Sequence, residues 1–371
     1  NDTETDGLYM AEDDEGESYY YRGAVRNNYV SFAGFLWRII RRNGDGSVRM
    51  IYSGKSVSNT GGATAIGNSQ FNSKYWDPTY VGYKYNEDFS LHQENNSTNI
   101  GVSSSTNKYS YGTGYTFDES TKKFTLTGDI KQLTWKDNHD EIVSDQLYSC
   151  LYTGCNVLYK ITEYVSNGMM KAQLISYSSN SLIDAQTNTT DSTIKTKLDN
   201  WYQTNLVNYS QYIADETFCN DRSVTTGTGY KLDSVTNYEA FDRLNNKRTA
   251  SLKCSQENDK FRVSSTSAKL EYPIGLILAD EVSLAGAVNN TINTNYYLYN
   301  SDFFWTFSPA SFGNEYLYAR VMYVMPSGSL SDSRDVTTSS YGVRPVINLK
   351  SDVTISKGDG SSINPFIVKT E

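Results

Sequence analysis

The residues best suited to contacting a ligand lie near the end of the chain, in the run Tyr316-Leu317-Tyr318-Ala319-Arg320-Val321-Met322. Alternate side chains of a strand point to opposite faces, so one face would carry Tyr316, Tyr318, Arg320 and Met322. Tyrosine, arginine and methionine are enriched at binding surfaces because they bury much area or adapt to a partner. We predict a ligand-binding face here. The alternative is an outer sheet face that neighbouring loops cover.

Polar residues on the far side of the following turn would extend this face. The turn is predicted at Pro326-Ser327-Gly328, where proline and glycine favour a chain reversal. The residues that would join the surface are Met325, Ser331, Asp332, Ser333 and Arg334.

Catalytic arrangements are not recognisable in the sequence. Glycoside hydrolysis needs two carboxylates ~5–9 Å apart, and no spacing singles out such a pair among the 42 Asp and Glu residues. Neither His92 nor His139 lies near a serine or cysteine motif typical of nucleophilic catalysis. The sequence therefore favours a non-catalytic protein without a cofactor.

An acidic run at residues 135–141 is the only other candidate site. Its carboxylate and amide oxygens suit Ca²⁺, but the run lacks the ligand spacing and the glycine of an EF-hand loop. A solvated polar loop is the favoured interpretation, and we predict no metal site.

The four cysteines are Cys150, Cys155, Cys219 and Cys254, and none forms a Cys-x-x-Cys unit. With only two histidines, a tetrahedral zinc site would need an unusual ligand set. We predict two local disulfides, Cys150 with Cys155 and Cys219 with Cys254, which indicate an oxidising compartment. The alternative is four buried free thiols.

Charge and hydropathy exclude some partner classes. The net charge is −9 with a pI of about 4.9, and the only basic cluster is Arg38 with Arg41-Arg42. Phosphate binding needs a concentrated positive surface, so nucleic acid is not an expected partner. No stretch approaches the ~20 apolar residues of a transmembrane helix. The start at Asn1, without methionine, leads us to expect a leader or anchor segment removed from an extracellular protein.

Strand patterns dominate the chain after an acidic lead-in, which we predict to be flexible over residues 1–18. A strand over residues 29–40, a turn at 43–46 and a returning strand over 47–52 form the clearest hairpin. Further hairpins are predicted around residues 116–127 and 156–177, and strands again over 303–307, 316–324, 342–349 and 366–368. Residues 53–120 are polar and are predicted to form loops with short strands.

Two helices are predicted among these strands. Asp191 is the expected N-cap of the first, in which Ile194, Leu198 and Leu206 recur at helical spacing. The second spans residues 279–285 and should stop at Gly286. We predict an α+β fold with one domain over residues 19–371 and a β-rich insertion over about 85–160.

Several segments resemble a family of Gram-positive (Firmicutes-type) gut-bacterial surface proteins with a domain of unknown function. They are YVSFAGFLWRIIRRNGDGSVRMIY, IGLILADEVSLAGA, FFWTFSPASF and GVRPVINLKSDVTISKGDGSSINPFIVK. The resemblance covers most of residues 19–371 and implies the C-type-lectin-like fold of formylglycine-generating enzymes, in which a Gly-x-Arg-Pro strand matches Gly342-Val343-Arg344-Pro345. Arg344 is expected to hold a buried hydrogen-bond network rather than a ligand.

The same resemblance limits the function. Enzymes of this fold use a pair of active-site cysteines and bound metal, and no cysteine falls in the C-terminal sheet here. The calcium motifs of sugar-binding lectins, Glu-Pro-Asn, Gln-Pro-Asp and Trp-Asn-Asp, are also missing. Variable proteins diversified by retroelements share the fold and concentrate sequence change near the C-terminus. The stretch from Asn314 to Val336 resembles that layout, which adds Asn314 to the expected ligand contacts.

The leading hypothesis is an extracellular adhesin that binds a protein or glycan ligand on another cell or host surface. One alternative is a structural subunit of a surface filament or pilus, which would self-associate. Another is a phage receptor-binding protein.

Overall fold

The computed structural model describes residues 6–95, 97–101, 109–133, 146–150, 156–166, 169–313 and 317–370. Strands dominate it and short helices lie between them, so the fold is a β-rich α+β fold, as the sequence predicts. No helix within the described residues is long and apolar enough to cross a membrane.

The first sheet joins the two ends of the chain around a central strand. Its strands are β1 (Gly7–Asp13), β2 (Gly16–Arg22), β3 (Tyr29–Phe32), β4 (Phe35–Arg42), β5 (Val48–Tyr52), β26 (Val346–Leu349), β27 (Ile355–Lys357) and β28 (Phe366–Val368). β5 pairs along one edge of β4, and β3 and β2 pair with successive parts of the other edge. β26 adds to β5, and β28 adds to β3 with β27 beyond it. The predicted C-terminal strands therefore complete the sheet begun by the first hairpins.

The prediction of one strand over residues 29–40 is wrong at Ala33 and Gly34. These two residues have positive φ angles of 53° and 79° and turn the chain between β3 and β4. Positive φ at both central residues is the geometry of a two-residue hairpin, which an Ala-Gly pair signals less clearly than Asn-Gly. The next predicted turn, at Asn43–Gly46, does join β4 to β5 as expected.

The prediction of a flexible acidic lead-in is wrong for residues 7–18. β1 and β2 pair antiparallel over their full length, from Gly7 opposite Arg22 to Asp13 opposite Gly16. The acidic residues at the tip of this hairpin pair with basic side chains that are distant in sequence, such as Lys253 and Arg262.

The second sheet lies within residues 90–178. It contains β8 (Ser90–Gln93), β9 (Thr98–Gly101), β10 (Tyr109–Gly112), β13 (Lys131–Leu133), β14 (Leu147–Cys150), β15 (Val157–Ser166) and β16 (Met169–Ser178), with the separate hairpin β11 (Gly114–Asp118) and β12 (Lys123–Thr127). The predicted hairpins at 116–127 and 156–177 are confirmed as β11–β12 and β15–β16. A small apolar cluster of Leu126, Leu147, Leu158 and Ile175 supports this part.

The third sheet carries the predicted ligand-binding run. It contains β6 (Asn68–Ser69), β19 (Val224–Thr226), β20 (Thr236–Tyr238), β22 (Phe304–Gly313), β23 (Tyr318–Val324), β24 (Leu330–Ser331) and β25 (Tyr341–Gly342). Two short ladders complete the β-structure: β7 (Lys84–Tyr85) with β17 (Thr190–Asp191), and β18 (Phe218–Cys219) with β21 (Lys260–Phe261).

The helices are short. They are α1 (Leu182–Ala185), α2 (Thr193–Asn205), α3 (Glu239–Asp242) and α4 (Ala279–Ala285), with 3₁₀ turns at Gly61–Thr64, Pro78–Val81, Val207–Tyr212 and Glu257–Asp259 and a π turn at Arg243–Lys247. Helix α4 has the predicted bounds and ends at Gly286, whose φ is 134°. The N-cap of α2 is Ser192, whose hydroxyl accepts from the Lys195 amide, rather than Asp191. Asp191 instead pairs with Lys84 and Lys195.

Arg344 has the structural role expected from the sequence. It is 2% exposed and donates to the backbone carbonyls of Tyr52 and Leu298 at 3.2 and 3.1 Å. Its guanidinium also lies 4.9 Å from the ring centre of Phe304. Arg344 therefore ties the first sheet to the third through the interior.

The predicted disulfide between Cys219 and Cys254 is present, with an S–S distance of 2.03 Å. It links the end of β18 to the segment that precedes β21. For the other predicted disulfide, Cys150 with Cys155, the Cys150 side chain and all of Cys155 lie outside the described residues.

Candidate ligand-binding surface on strand β23

Strand β23 holds the predicted alternation from Tyr318 to Val321, and Leu317 lies in the turn before it with a positive φ of 53°. Leu317, Ala319 and Val321 are buried, while Tyr318 and Arg320 are partly exposed. The buried side chains pack into the main core, which fixes the backbone that presents the two exposed ones. Asn314 and Tyr316, two further predicted contacts, lie outside the described residues.

Met322 does not belong to this surface, because its exposed fraction is 0%. The alternation ends there, since both faces of the strand become covered. Helix α4 lies against β22 and β24 on either side of β23, and the 3₁₀ turn Pro78–Val81 lies against β22 and β23. The prediction that Met322 faces solvent is therefore wrong.

Ser331 is also buried, at 3% exposure, although the sequence predicts it on the surface. It lies in β24 directly opposite Tyr323, and its hydroxyl lies 3.4 Å from the hydroxyl of Ser333. Met325, at the preceding turn, is half-buried, and its amide donates to the Ser329 carbonyl at 2.9 Å.

The outer edge of β23 is occupied by two segments that are distant in sequence. The Ala319 amide donates to the Tyr75 carbonyl at 2.7 Å, and the Ala319 carbonyl accepts from the Val336 amide at 3.0 Å. The backbone of Arg320 forms an isolated antiparallel β-bridge with that of Asp335. These bonds place Tyr75 and the loop after β24 beside Tyr318 and Arg320.

The Tyr75 and Tyr318 rings are in contact, with their centres 5.4 Å apart and their planes tilted by 57°. Both side chains are partly exposed. Together they form an aromatic wall at one end of the surface. The sequence signals no role for Tyr75, because it lies in a polar stretch interpreted as loop and no local spacing connects it to β23.

Asp332 and Arg334 bring charge to the other end. Burial raises the pKa of Asp332, and the nearby Arg320 guanidinium opposes that rise. The Nε of Arg320 is buried without a hydrogen-bond partner among the described residues. Arg334 is exposed and contacts the Tyr341 phenol. We name the set Tyr75, Tyr318, Arg320, Asp332 and Arg334 the β23 surface.

An aromatic layer supports the β23 surface from behind. The rings of Phe303 and Tyr341 stack at 4.7 Å with an interplanar angle of 2°, and Trp305 lies 4.8 Å from Tyr341. The hydroxyl of Tyr323 lies 2.7 Å from the Ser333 hydroxyl, which ties the loop to this layer. A rigid base of this kind keeps the exposed side chains in fixed positions, which lowers the entropy cost of binding.

The β23 surface combines three kinds of side chain. It offers aromatic rings, guanidinium groups and one carboxylate, with no histidine, cysteine or second carboxylate in the set. Within the described ranges, no group of three His, Cys, Asp or Glu side chains is arranged to hold a metal ion. The acidic run at 135–141, the candidate for Ca²⁺, lies wholly outside those ranges.

Comparison of the chain with protein-family models, with curated proteins and with solved structures gives no significant match.

Proposed function

We propose that this protein is a non-catalytic, extracellular ligand-binding domain, an adhesin, that uses the β23 surface. The observation that carries the proposal is the difference in exposure between alternate side chains at strand β23. Tyr318 and Arg320 stay partly exposed, while Leu317, Ala319 and Val321 anchor the strand in the core. Partly exposed tyrosine and arginine on a rigid base are the residue types that dominate binding energy at interfaces.

The proposed setting is the outside of a bacterial cell, and the proposed fold is C-type-lectin-like. The disulfide between Cys219 and Cys254 is compatible with an oxidising compartment. The β-rich α+β architecture and the buried Arg344 are compatible with the Gly-x-Arg-Pro strand of that fold. The ligand would be a protein or glycan on another cell or host surface.

Binding of the purified protein to host-cell surfaces and to immobilised glycans tests the proposal. Tyr318→Ala with Arg320→Ala should reduce binding at least ~30-fold, because two contacts near the centre of an interface each contribute roughly 1–3 kcal/mol and about 1.4 kcal/mol is tenfold in Kd. Biolayer interferometry against any ligand that the wild-type protein binds gives the ratio of Kd values.

A matched control separates the surface from general effects on folding. Tyr230 is half-buried and Arg26 is exposed, and both lie outside the β23 surface. Tyr230→Ala with Arg26→Ala should leave Kd within about twofold. Equal losses for the two double variants, or retained binding by the β23 double variant with a normal Tm, would contradict the proposed site.

A second candidate function, a self-associating structural subunit, rests on the edge strand β1. Leu8 and Met10 lie on one face of this strand and are 58% and 56% exposed. Exposed apolar side chains on an edge strand favour pairing with another chain. Sedimentation velocity of the wild type and of Leu8→Lys with Met10→Lys checks this. A concentration-dependent association that the double variant lacks would favour the subunit, and a monomer at all concentrations would exclude it.

A further inference from the structure

The acidic residues at the tip of the β1–β2 hairpin are each held by a group from the body of the protein. Glu12 pairs with Lys253 at 2.8 Å, and Asp13 pairs with Arg41 at 2.6 Å. Asp14 accepts from the Cys254 amide at 3.2 Å, and Glu15 pairs with Arg262 at 2.6 Å. Four consecutive side chains thus contact four different positions on the body, which a merely solvated turn would not do.

The same tip covers the disulfide. Cys219 and Cys254 are 6% and 4% exposed, and they line a cavity of about 20 Å³ together with Asp13, Asp14 and Glu15. That volume holds about one water molecule. Asp13 also forms an isolated parallel bridge with Leu252, two residues before Cys254. The tip of the β1–β2 hairpin therefore shields the sulfur atoms of Cys219 and Cys254 from solvent at this cavity.

Arg262 is shared between the hairpin tip and the body. Its guanidinium lies 2.6 Å from a Glu15 oxygen and 3.9 Å from a Glu216 oxygen, and it also donates to the Thr217 hydroxyl. Glu216 and Arg262 both line the cavity. An ionised Glu216 would therefore compete with Glu15 for the same cation.

We propose that the hairpin tip is an electrostatic latch over the Cys219–Cys254 disulfide and that ionisation of Glu216 loosens it by drawing Arg262 away from Glu15. The charged groups that face Glu216 are Asp45 from the β4–β5 turn, Glu15 from the tip, Arg262 from the segment after β21, and Arg49 from β5. Asp13, Asp14 and Arg41 complete the charged lining of the cavity.

The direction of the pH effect follows from proton linkage. Burial raises the pKa of Glu216 to about 7, Asp45 and Glu15 add to the rise, and Arg262 opposes it. Lifting the tip removes Glu15, admits water and frees Arg262, and each change lowers the pKa of Glu216. The closed latch therefore binds the Glu216 proton more tightly than the open latch. The latch should be tightest on the acidic side of neutrality and should open more often as pH rises through about 7.

Reduction of the disulfide by a water-soluble phosphine measures latch opening, because a reductant needs access to the sulfur atoms. Alkylation and peptide mass spectrometry would follow Cys219 and Cys254 separately from the other two cysteines. The wild-type rate should rise at least ~5-fold more between about pH 6 and about pH 8 than that of Glu216→Gln, which cannot ionise. Arg262→Gln, which releases Glu15, should react fast at both pH values.

Glu119→Gln is the matched control, because Glu119 pairs with Lys122 at 3.0 Å in the separate β11–β12 hairpin. It should follow the wild-type profile. Hydrogen exchange of residues 8–20 in the wild type gives a second measurement that does not depend on any variant folding. Identical pH profiles for wild type and Glu216→Gln, or hairpin protection that does not change with pH after correction for intrinsic exchange, would overturn the latch.

Discussion

Asp77 is a buried carboxyl group that is only half satisfied. One oxygen accepts from the Thr79 amide at 2.9 Å, as an N-cap of the 3₁₀ turn Pro78–Val81. The other has no hydrogen-bond partner among the described residues. Burial raises the pKa of Asp77 to about 7, against the opposing effect of the Thr79 hydrogen bonds. The carboxyl group therefore favours its protonated form in the folded protein.

Asp77→Asn should stabilise the protein at about pH 8 and have little effect at about pH 3, below the unfolded pKa of an aspartate. A carboxyl group whose pKa is raised by folding contributes stability that is present below its unfolded pKa and is lost as pH rises through the folded pKa. Asparagine keeps the capping oxygen and cannot ionise, so roughly 2–4 kcal/mol should be recovered at the higher pH. Urea denaturation at the two pH values measures the difference.

Asp118→Asn provides a comparison of opposite sign. Asp118 is exposed, and hydrogen bonds from Ser120 and Thr121 lower its pKa. Its replacement should give no gain at the higher pH. An equal gain for both variants would show that the effect at Asp77 is not due to burial of its charge.

The β23 surface shows how far single residues can be predicted. The alternation from Tyr318 to Val321 follows from strand geometry, and it correctly separates buried from exposed side chains. Met322 fails because it packs into the main core, and the elements that surround β23 there are distant from it in sequence. Tyr75 could not be predicted, since its hydrogen bond to Ala319 and its ring contact with Tyr318 join segments more than two hundred positions apart.

At the scale of elements, the β1–β2 hairpin contributes one buried carboxylate, that of Asp13, to the interior. Asp13 pairs with Arg41, while Glu281 on α4 pairs with both Arg41 and Arg49 at 3.0 and 2.6 Å. All four side chains are at most 7% exposed. The cluster holds two carboxylates and two guanidinium groups, so it is neutral only while the hairpin is docked.

Asp13→Asn should destabilise the protein by about 3–5 kcal/mol, because removing one member of a buried ion cluster leaves an uncompensated charge. Equilibrium urea unfolding near neutral pH measures the loss. Glu17→Gln on the same hairpin is the control, since Glu17 is exposed, and it should stay within about 0.5 kcal/mol. A loss below about 1 kcal/mol for Asp13→Asn would mean that water reaches the cluster.

Helix α4 was predictable, whereas the hairpin was not. The bounds of α4 follow from a helical apolar pattern and from Gly286, which accepts a φ of 134° at low cost. The acidic tip of the hairpin has the composition of a solvated tail. Its partners Lys253 and Arg262 lie more than two hundred positions away, so no local pattern could indicate docking.

At the scale of the whole molecule, the Cys219–Cys254 disulfide closes a loop of sequence separation 35 that contains β19, β20 and α3. Chain entropy predicts that replacing both cysteines by serine lowers the free energy of unfolding by about 3–4 kcal/mol. The urea m-value should rise, because the unfolded chain becomes less compact. Unfolding curves of the double variant and the wild type give both quantities. An unchanged free energy of unfolding would show that residual structure already constrains this loop in the unfolded ensemble.

The chain enters and leaves the second sheet at neighbouring positions. Ser90 opens β8 and Ser178 closes β16, and these two residues are directly paired, with the Asn180 side chain donating to the Ser90 hydroxyl at 2.9 Å. A chain that passed straight from one to the other would leave the first and third sheets with their present connections. The segment from residue 90 to residue 178 could therefore be deleted, inserted or replaced as one unit. The strand pairing of the first and third sheets, which position the β23 surface, would stay the same.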